Sequence, residues 1–179
     1  MKQMDRVFRK RFWFTLAFVV MLTVMASGPL FAADFDTEEE SLLYMREEEK
    51  LARDVYLALY DRWQLAIFKN ISTSELRHMD AIKTLLVRYG VPDPALDPGK
   101  FTNPNLQLLY DALIIQGDSG DSSVTDALNV GVLIEETDIE DLLSGIAIAR
   151  HNDIKRVYQN LMAGSENHWA AFQSVLSNY

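Results

Sequence analysis

From residue 36 onward, apolar side chains recur every three or four positions with charged and polar residues between them. That is the period of helices packed on one face. The first segment opens at Asp36–Thr37, where Thr37 and Glu40 have capping-box spacing, and runs to about Trp63. Tyr44, Leu51, Val55, Ala58 and Leu59 form its stripe. A second helix is predicted from about Ile71 to Tyr89, with Ser72 and Glu75 as a further capping box and Gly90 as its stop. Residues 91–104, VPDPALDPGKFTNP, hold four of the five prolines and cannot be helical. A short helix over about 105–116 follows, then the polar turn GDSGDSS, then helices over roughly 124–148 and 153–177. No segment alternates for long enough to predict a strand. Short links within the first and last pairs of long helices make antiparallel hairpins, and the long connection lets the chain cross the bundle between them.

Several charged residues fall on the apolar stripes. Glu48 shares a face with Tyr44, Leu51, Val55 and Leu59, which leaves Glu47 and Glu49 pointing elsewhere, toward solvent. Ile71, Glu75, His78, Ile82, Leu85 and Tyr89 are spaced 4, 3, 4, 3, 4, so Glu75 and His78 both face the core. In the last helix Ile154, Val157, Leu161, Ser165, His168, Phe172 and Val175 share a stripe, which puts His168 inside. In the third long helix Glu135 and Asp138 border the face of Leu128, Val132, Ile139 and Leu142, with Glu136 at its edge. A shift of 90 residues carries Ile71 onto Leu161, His78 onto His168, Ile82 onto Phe172 and Glu48 onto Asp138, an echo of one hairpin in the other.

Buried carboxylates cost several kcal/mol each unless a cation, a base or a proton compensates them. Arg46, Lys50, Arg53 and Arg77 lie off the core stripes. A divalent metal therefore accounts economically for Glu48, Glu75, His78, Glu135, Asp138 and His168, and mixed carboxylate and imidazole ligands suit iron, manganese or zinc. The competing reading is a capped helix start at Ser72 and histidines hydrogen-bonded within the core. His151, beside Asn152 and Asp153, reads as a loop or capping residue.

Composition bounds where this happens. Residues 1–11 carry five basic side chains and one acid, an apolar run follows, and the small pair Ala32–Ala33 closes it. This three-part layout predicts a secretory signal over residues 1–33, an uncleaved membrane anchor being the alternative, and a single domain over 34–179. The chain has no cysteine, which excludes disulfides and a lipoprotein anchor and suits a periplasmic or secreted protein. Without residues 1–33 the 17 Lys/Arg fall to 12 and the 26 Asp/Glu to 25, so the formal charge moves from −9 to −13. So acidic a surface argues against nucleic acid and against an anionic membrane as partners.

The blocks YMREEEKLARDVYLALY, IFKNISTSELRHMDAIKTLLVRYGVPDP, DALNVGVLIEETDIEDL and GSENHWAAF resemble, in this order, an uncharacterised prokaryotic family of ferritin-like domains. The resemblance covers roughly residues 40–176. It implies an all-α fold, a ferritin-like four-helix bundle with a long crossover containing a short extra helix. Such bundles hold a di-metal centre with a glutamate on the first and third long helices and Glu-x-x-His on the second and fourth. Carried onto this chain, the pattern assigns Glu48, then Glu75 with His78, then Glu135 or Asp138, then His168. It departs from the pattern at Ser165, where the fourth helix should supply an acid, while Glu166 lies off that face. The resemblance implies an iron-binding oxidoreductase acting on iron, oxygen or peroxide; Tyr44 or Tyr56 would pass electrons or simply pack the core, two roles the sequence does not separate. With no Cys-x-x-Cys module, electrons would come from a partner or from ferrous iron. The alternative is a non-enzymatic bundle, a metal carrier or adaptor with one metal or none. The partners admitted are metal ions, an electron donor and a second copy of the chain in a homodimer.

Overall fold

In a computed structural model the described residues are 33–179, so the predicted leader, apart from Ala33, lies outside them. The described residues form five helices and no strand: α1 Glu38–Trp63, α2 Ala66–Tyr89, α3 Pro104–Asp118, α4 Val124–Ile148 and α5 Asn152–Leu176. Thr37 caps α1 as expected, its Oγ1 accepting from Glu40 N–H at 3.1 Å. The return bond from the Glu40 carboxylate goes to Asp36 N–H, one residue before the cap. The start of α2 differs from expectation. It begins at Ala66, so Ser72 lies inside the helix and its hydroxyl donates to Lys69 C=O at 2.9 Å instead of capping. The cause is the two-residue link: Gln64 adopts a left-handed φ of 54° and reverses the chain at once, which lets buried Phe68 extend the apolar stripe of α2 backward.

The helices pack as two hairpins, α1 on α2 and α4 on α5, joined through α1–α4 and α2–α5 contacts, with α3 laid against α1 and α4. Side-chain contacts give the directions. Glu38, at the start of α1, accepts from the N–H groups of Arg150 and His151 at the start of α5. Tyr89 at the end of α2 donates to Asp153 at 2.7 Å, while Trp63 at the end of α1 donates to Gly117 C=O at 2.8 Å. The chain thus leaves α2 at one end of the bundle and begins α4 at the other.

That crossing explains why charged residues taken to be solvated are not. Every side chain from Met45 to Ala52 is buried, because the proline-rich segment covers the outer flank of α1. Glu47 accepts from the N–H groups of Thr102 and Asn103 at 2.5 and 3.0 Å and from the Thr102 hydroxyl at 2.6 Å. Lys50 reaches Asp54 at 2.6 Å and Lys100 C=O at 3.0 Å and stands 4.2 Å above the Phe101 ring. Arg46 forks onto Asp93 at 2.9 and 3.0 Å. Arg53 and Arg77 do stay off the core.

The interior holds two apolar clusters. One gathers Leu51, Val55, Tyr56, Phe68, Ile71, Ile134 and Phe172; the other gathers Leu42, Met45, Ile82, Leu85, Leu142, Tyr158 and Leu161. On each of the four long helices the residues between the clusters are polar: Glu48 and Glu49, Glu75 and His78, Glu135 and Asp138, Ser165 and His168. A polar layer therefore divides the core.

Candidate metal centre

Four helices each contribute to this layer at a fixed helical interval, so the backbone sets its geometry. Glu75 and His78, three apart on α2, lie on one face. The His78 Nδ1 stands 2.8 Å from Glu75 Oε2 and 3.1 Å from Glu49 Oε2. Across the layer, His168 Nδ1 stands 2.9 Å from Glu75 Oε1 and 3.4 Å from Glu135 Oε2. Two triads result, Glu49–Glu75–His78 and Glu75–Glu135–His168, each with its ligand atoms converging. They share Glu75, which turns one oxygen to each. The imidazole rings stack with centroids 5.5 Å apart.

The arrangement meets a geometric test for cations. Ligands about 2.1 Å from an ion lie about 3.0 Å apart in octahedral and about 3.4 Å apart in tetrahedral coordination. The observed separations, 2.8 to 3.4 Å, fall on those edges. Glu75 Oε1 and His168 Nδ1, though 2.9 Å apart, are not aligned for a hydrogen bond, and Glu49 Oε1 has no partner either. Two carboxylates and an imidazole gathered this closely in each triad make a donor set that a cation can use once the imidazoles are deprotonated. The residues fit a metal.

Electrostatics at the layer is dominated by burial. It would raise Glu75, yet the two imidazoles beside it hold that carboxyl at about 2. Burial would lower both histidines, but Glu49 and Glu75 push His78 up to about 11, and Glu135 and Glu75 push His168 up to about 9. Burial raises Glu135 to about 7, and burial with the Glu135 charge raises Asp138 to about 8. Burial and Asp138 also push Glu49 well upward, against the pull of His78. Without a metal the layer is stocked with protons that a cation would have to displace.

The positions of the other predicted residues are instructive. Glu48 is buried but joins neither triad; it lies against Asp141, and Tyr44 lies beside that pair. Glu49, expected in solvent, is the α1 member of the first triad. Asp138 is buried beside the triads but in neither: Ser165 donates its hydroxyl to Asp138 Oδ2, and Oδ1 has no partner. Glu136 is exposed and accepts from Trp169, and Glu166 is exposed. Tyr56 donates to Glu135 Oε1 at 2.6 Å, which turns the other oxygen to His168. His151 stands at the N-cap position of α5 but caps through its backbone, its ring pairing with Glu38 at 2.8 Å. Gly164 has a role that spacing did not suggest: a Cβ there would stand 2.7 Å from His78 Nε2. A signal for Glu49 existed, since Leu42, Met45, Glu49, Ala52, Tyr56 and Leu59 form a second stripe spaced 3 or 4 apart.

Fold and site together define an all-α bundle whose core is crossed by a carboxylate–imidazole layer. The chain belongs to the family described as "Uncharacterized protein domain (DUF2202)", which matches residues 38–178. It is 53% identical over 146 residues to the uncharacterized protein MJ0754 of Methanocaldococcus jannaschii, covering 80% of this chain and 77% of that one. The crystal structure of the hypothetical protein MJ0754, given there as from Methanococcus jannaschii, superposes with a TM-score of 0.76 at 50% identity over 84% of this chain and 86% of that one. A DUF305 fragment from Deinococcus radiodurans superposes with a TM-score of 0.64 at 13% identity over 82% of this chain and 99% of that one, a likeness of fold alone.

Proposed function

We propose that this protein is an exported, ferritin-like metal-binding protein whose two triads, which share Glu75, would hold a pair of first-row transition ions. The observation that carries the reading is the sharing of Glu75, one oxygen to each triad, at coordination-edge distances. Support for the ferritin-like assignment comes from the two antiparallel hairpins joined by a crossover, together with the resemblance of the four sequence blocks. Iron is the favoured ion, with manganese or zinc able to use the same donors. Export is supported by the leader pattern of residues 1–33.

Such a pair supplies one-electron redox chemistry toward dioxygen or peroxide when bound, with ferrous iron or a partner protein as the electron source. The chain's own residues set the conditions for it. Glu49, Glu135 and the histidines bind, each triad from one side of Glu75. Tyr56 orients Glu135 and keeps a proton at its Oε1 edge. The apolar clusters above and below cover the layer, leaving only an edge of each histidine exposed.

Elemental analysis after anaerobic loading with ferrous or manganous ion tests the assignment. Two ions per chain are expected for the native protein, one for Glu49→Gln, and two for Glu48→Gln. Substoichiometric metal that loading does not change would overturn it. Aerobic oxidation of ferrous ion by the loaded protein tests the redox part; no turnover with dioxygen or peroxide would leave a carrier. A second reading, a metal-free bundle, is favoured by one observation: Glu75 flanked by two imidazoles is already compensated in charge. In that case metal leaves the melting temperature unchanged.

A further inference from the structure

Asp141 on α4 is fully buried, and its Oδ2 has no hydrogen-bond partner. It lies against Glu48, also buried and with an unpartnered Oε2, so two acids meet where no basic side chain of the described residues reaches. A single donor from the main chain approaches: the Ala33 nitrogen, 2.5 Å from Asp141 Oδ1. Ala33 is held there by the fold. It packs on the apolar cluster of Leu42, Ile82 and Leu142, and two residues on Phe35 is buried edge-to-face against Tyr44 at 5.3 Å.

The predicted leader over residues 1–33 would take Ala33 with it, but the hold of Asp141 on the Ala33 nitrogen points to a cut one residue earlier, within the same small pair. We propose that export processing hydrolyses the Ala32–Ala33 bond and that the α-ammonium created at Ala33 is the cation that Asp141 receives. The inference rests on the leader pattern and is independent of the metal reading. The chemistry balances with water as co-reactant and an endopeptidase of the export machinery as catalyst. The C–N bond breaks, water supplies the new carboxylate oxygen on Ala32, and the Ala33 nitrogen takes up protons to become an ammonium. An amide offers one N–H, whereas an ammonium offers three and a full charge. Asp141 Oδ2 and Glu48 Oε2 are the unpartnered acceptors that additional donors would serve, and charge-assisted bonds are about twice as strong as neutral ones. A cut one residue later, before Asp34, would remove the nitrogen that Asp141 holds. A cut further upstream would leave an amide where the acids call for a cation.

The full chain, expressed with its leader in a host that exports it, provides the test by intact mass and N-terminal sequencing. The mature protein is expected to begin ADFDTEE. Acetylation of the folded protein with a limiting amine reagent should modify Ala33 about tenfold more slowly than in Asp141→Asn, one pKa unit of stabilisation being a tenfold effect. Deletion of Ala33, which leaves Asp141 intact but moves the amine, should lower the melting temperature as Asp141→Asn does. A mature chain that starts elsewhere, or one that keeps its leader, overturns the proposal. So does an Ala33 amine labelled equally fast in the native and Asp141→Asn proteins.

Discussion

Adjacent residues on one helix turn differ by about 100° in direction, and at Glu48 and Glu49 that rotation separates two tasks. Glu49 enters the first triad, while Glu48 turns to Asp141. Glycine 164 acts at the same scale. With a Cβ 2.7 Å from His78 Nε2 and 2.9 Å from its Cε1, Gly164→Ala has to push the ring from its position in the triad. The expected result is at least a tenfold loss of affinity at one of two metal sites, the size seen when the support of a ligand is disturbed. The metal-free protein should change little, because alanine regains about 1 kcal/mol of helix propensity that offsets the strain. Calorimetric titration of both proteins reads the first, and thermal unfolding of the chelated forms reads the second. Proton linkage gives a further expectation. With His78 at about 11, His168 at about 9 and Glu135 at about 7, the triads hold protons at neutral pH that ligands must lose. Apparent metal affinity should therefore rise from pH 6 to pH 9, with proton release visible as a buffer-dependent heat. A flat profile would remove these groups from the site.

At the scale of elements, α1 carries most of what a sequence reading could not see. The long helices and the crossover were legible because period, glycine stops and clustered prolines are local signals. The burial of Arg46, Glu47 and Lys50 was not, because it depends on a segment some 50 residues away folding back over them. Over Met45–Ala52, where α1 is covered on all sides, there is no solvent face, so choosing one stripe put Glu49 in solvent when a second stripe ran through it. The 90-residue echo aligned the histidines but paired Glu48 with Asp138, neither of which enters a triad. Ser165, read as the place of a missing acid, donates to Asp138, a partner that spacing could not name. The covering segment makes its own prediction. Burial works upward on Asp93, but the Arg46 fork, the Ala95 N–H and Lys83 together hold the carboxyl below its usual range. A depressed acid stabilises the fold above its unfolded pKa and loses that contribution as pH falls through the folded value. Asp93→Asn should therefore cost about 1–2 kcal/mol at pH 7, since it weakens a fork to a buried guanidinium. The difference should begin to shrink as the pH falls below 3.8, the ordinary value, and vanish once it has passed the lowered folded value, where the native carboxyl itself becomes protonated. Urea unfolding of both proteins at pH 7 and pH 3 checks the sign, and a gap that widens in acid would refute it.

For the whole molecule, a polar layer between two apolar clusters is a costly way to build a bundle. A core of this size would be more stable if the clusters met, because exchanging buried ionic groups for apolar ones of similar volume is often neutral or stabilising by about 1–4 kcal/mol. The triple variant Glu49→Met, Glu75→Leu, His78→Leu joins Met45 and Ile82 to Leu51 and Ile71 through its new side chains. In the metal-free state it should melt higher than the native protein, by about 2–4 °C for each kcal/mol gained. Metal reverses the order. An ion that binds only the folded chain stabilises it by about 2.7 kcal/mol at one hundred times its dissociation constant, and the triple variant has given up the donors that hold it. Thermal unfolding of both proteins, chelated and loaded, thus has a crossing as its expected outcome, the variant ahead without metal and the native protein ahead with it. Were the layer instead a closed hydrogen-bonded device of the fold, metal would move neither curve and the variant would lead or lag in both conditions alike. The crossing would tie the arrangement of the core to its ligands, because stability alone favours the other sequence.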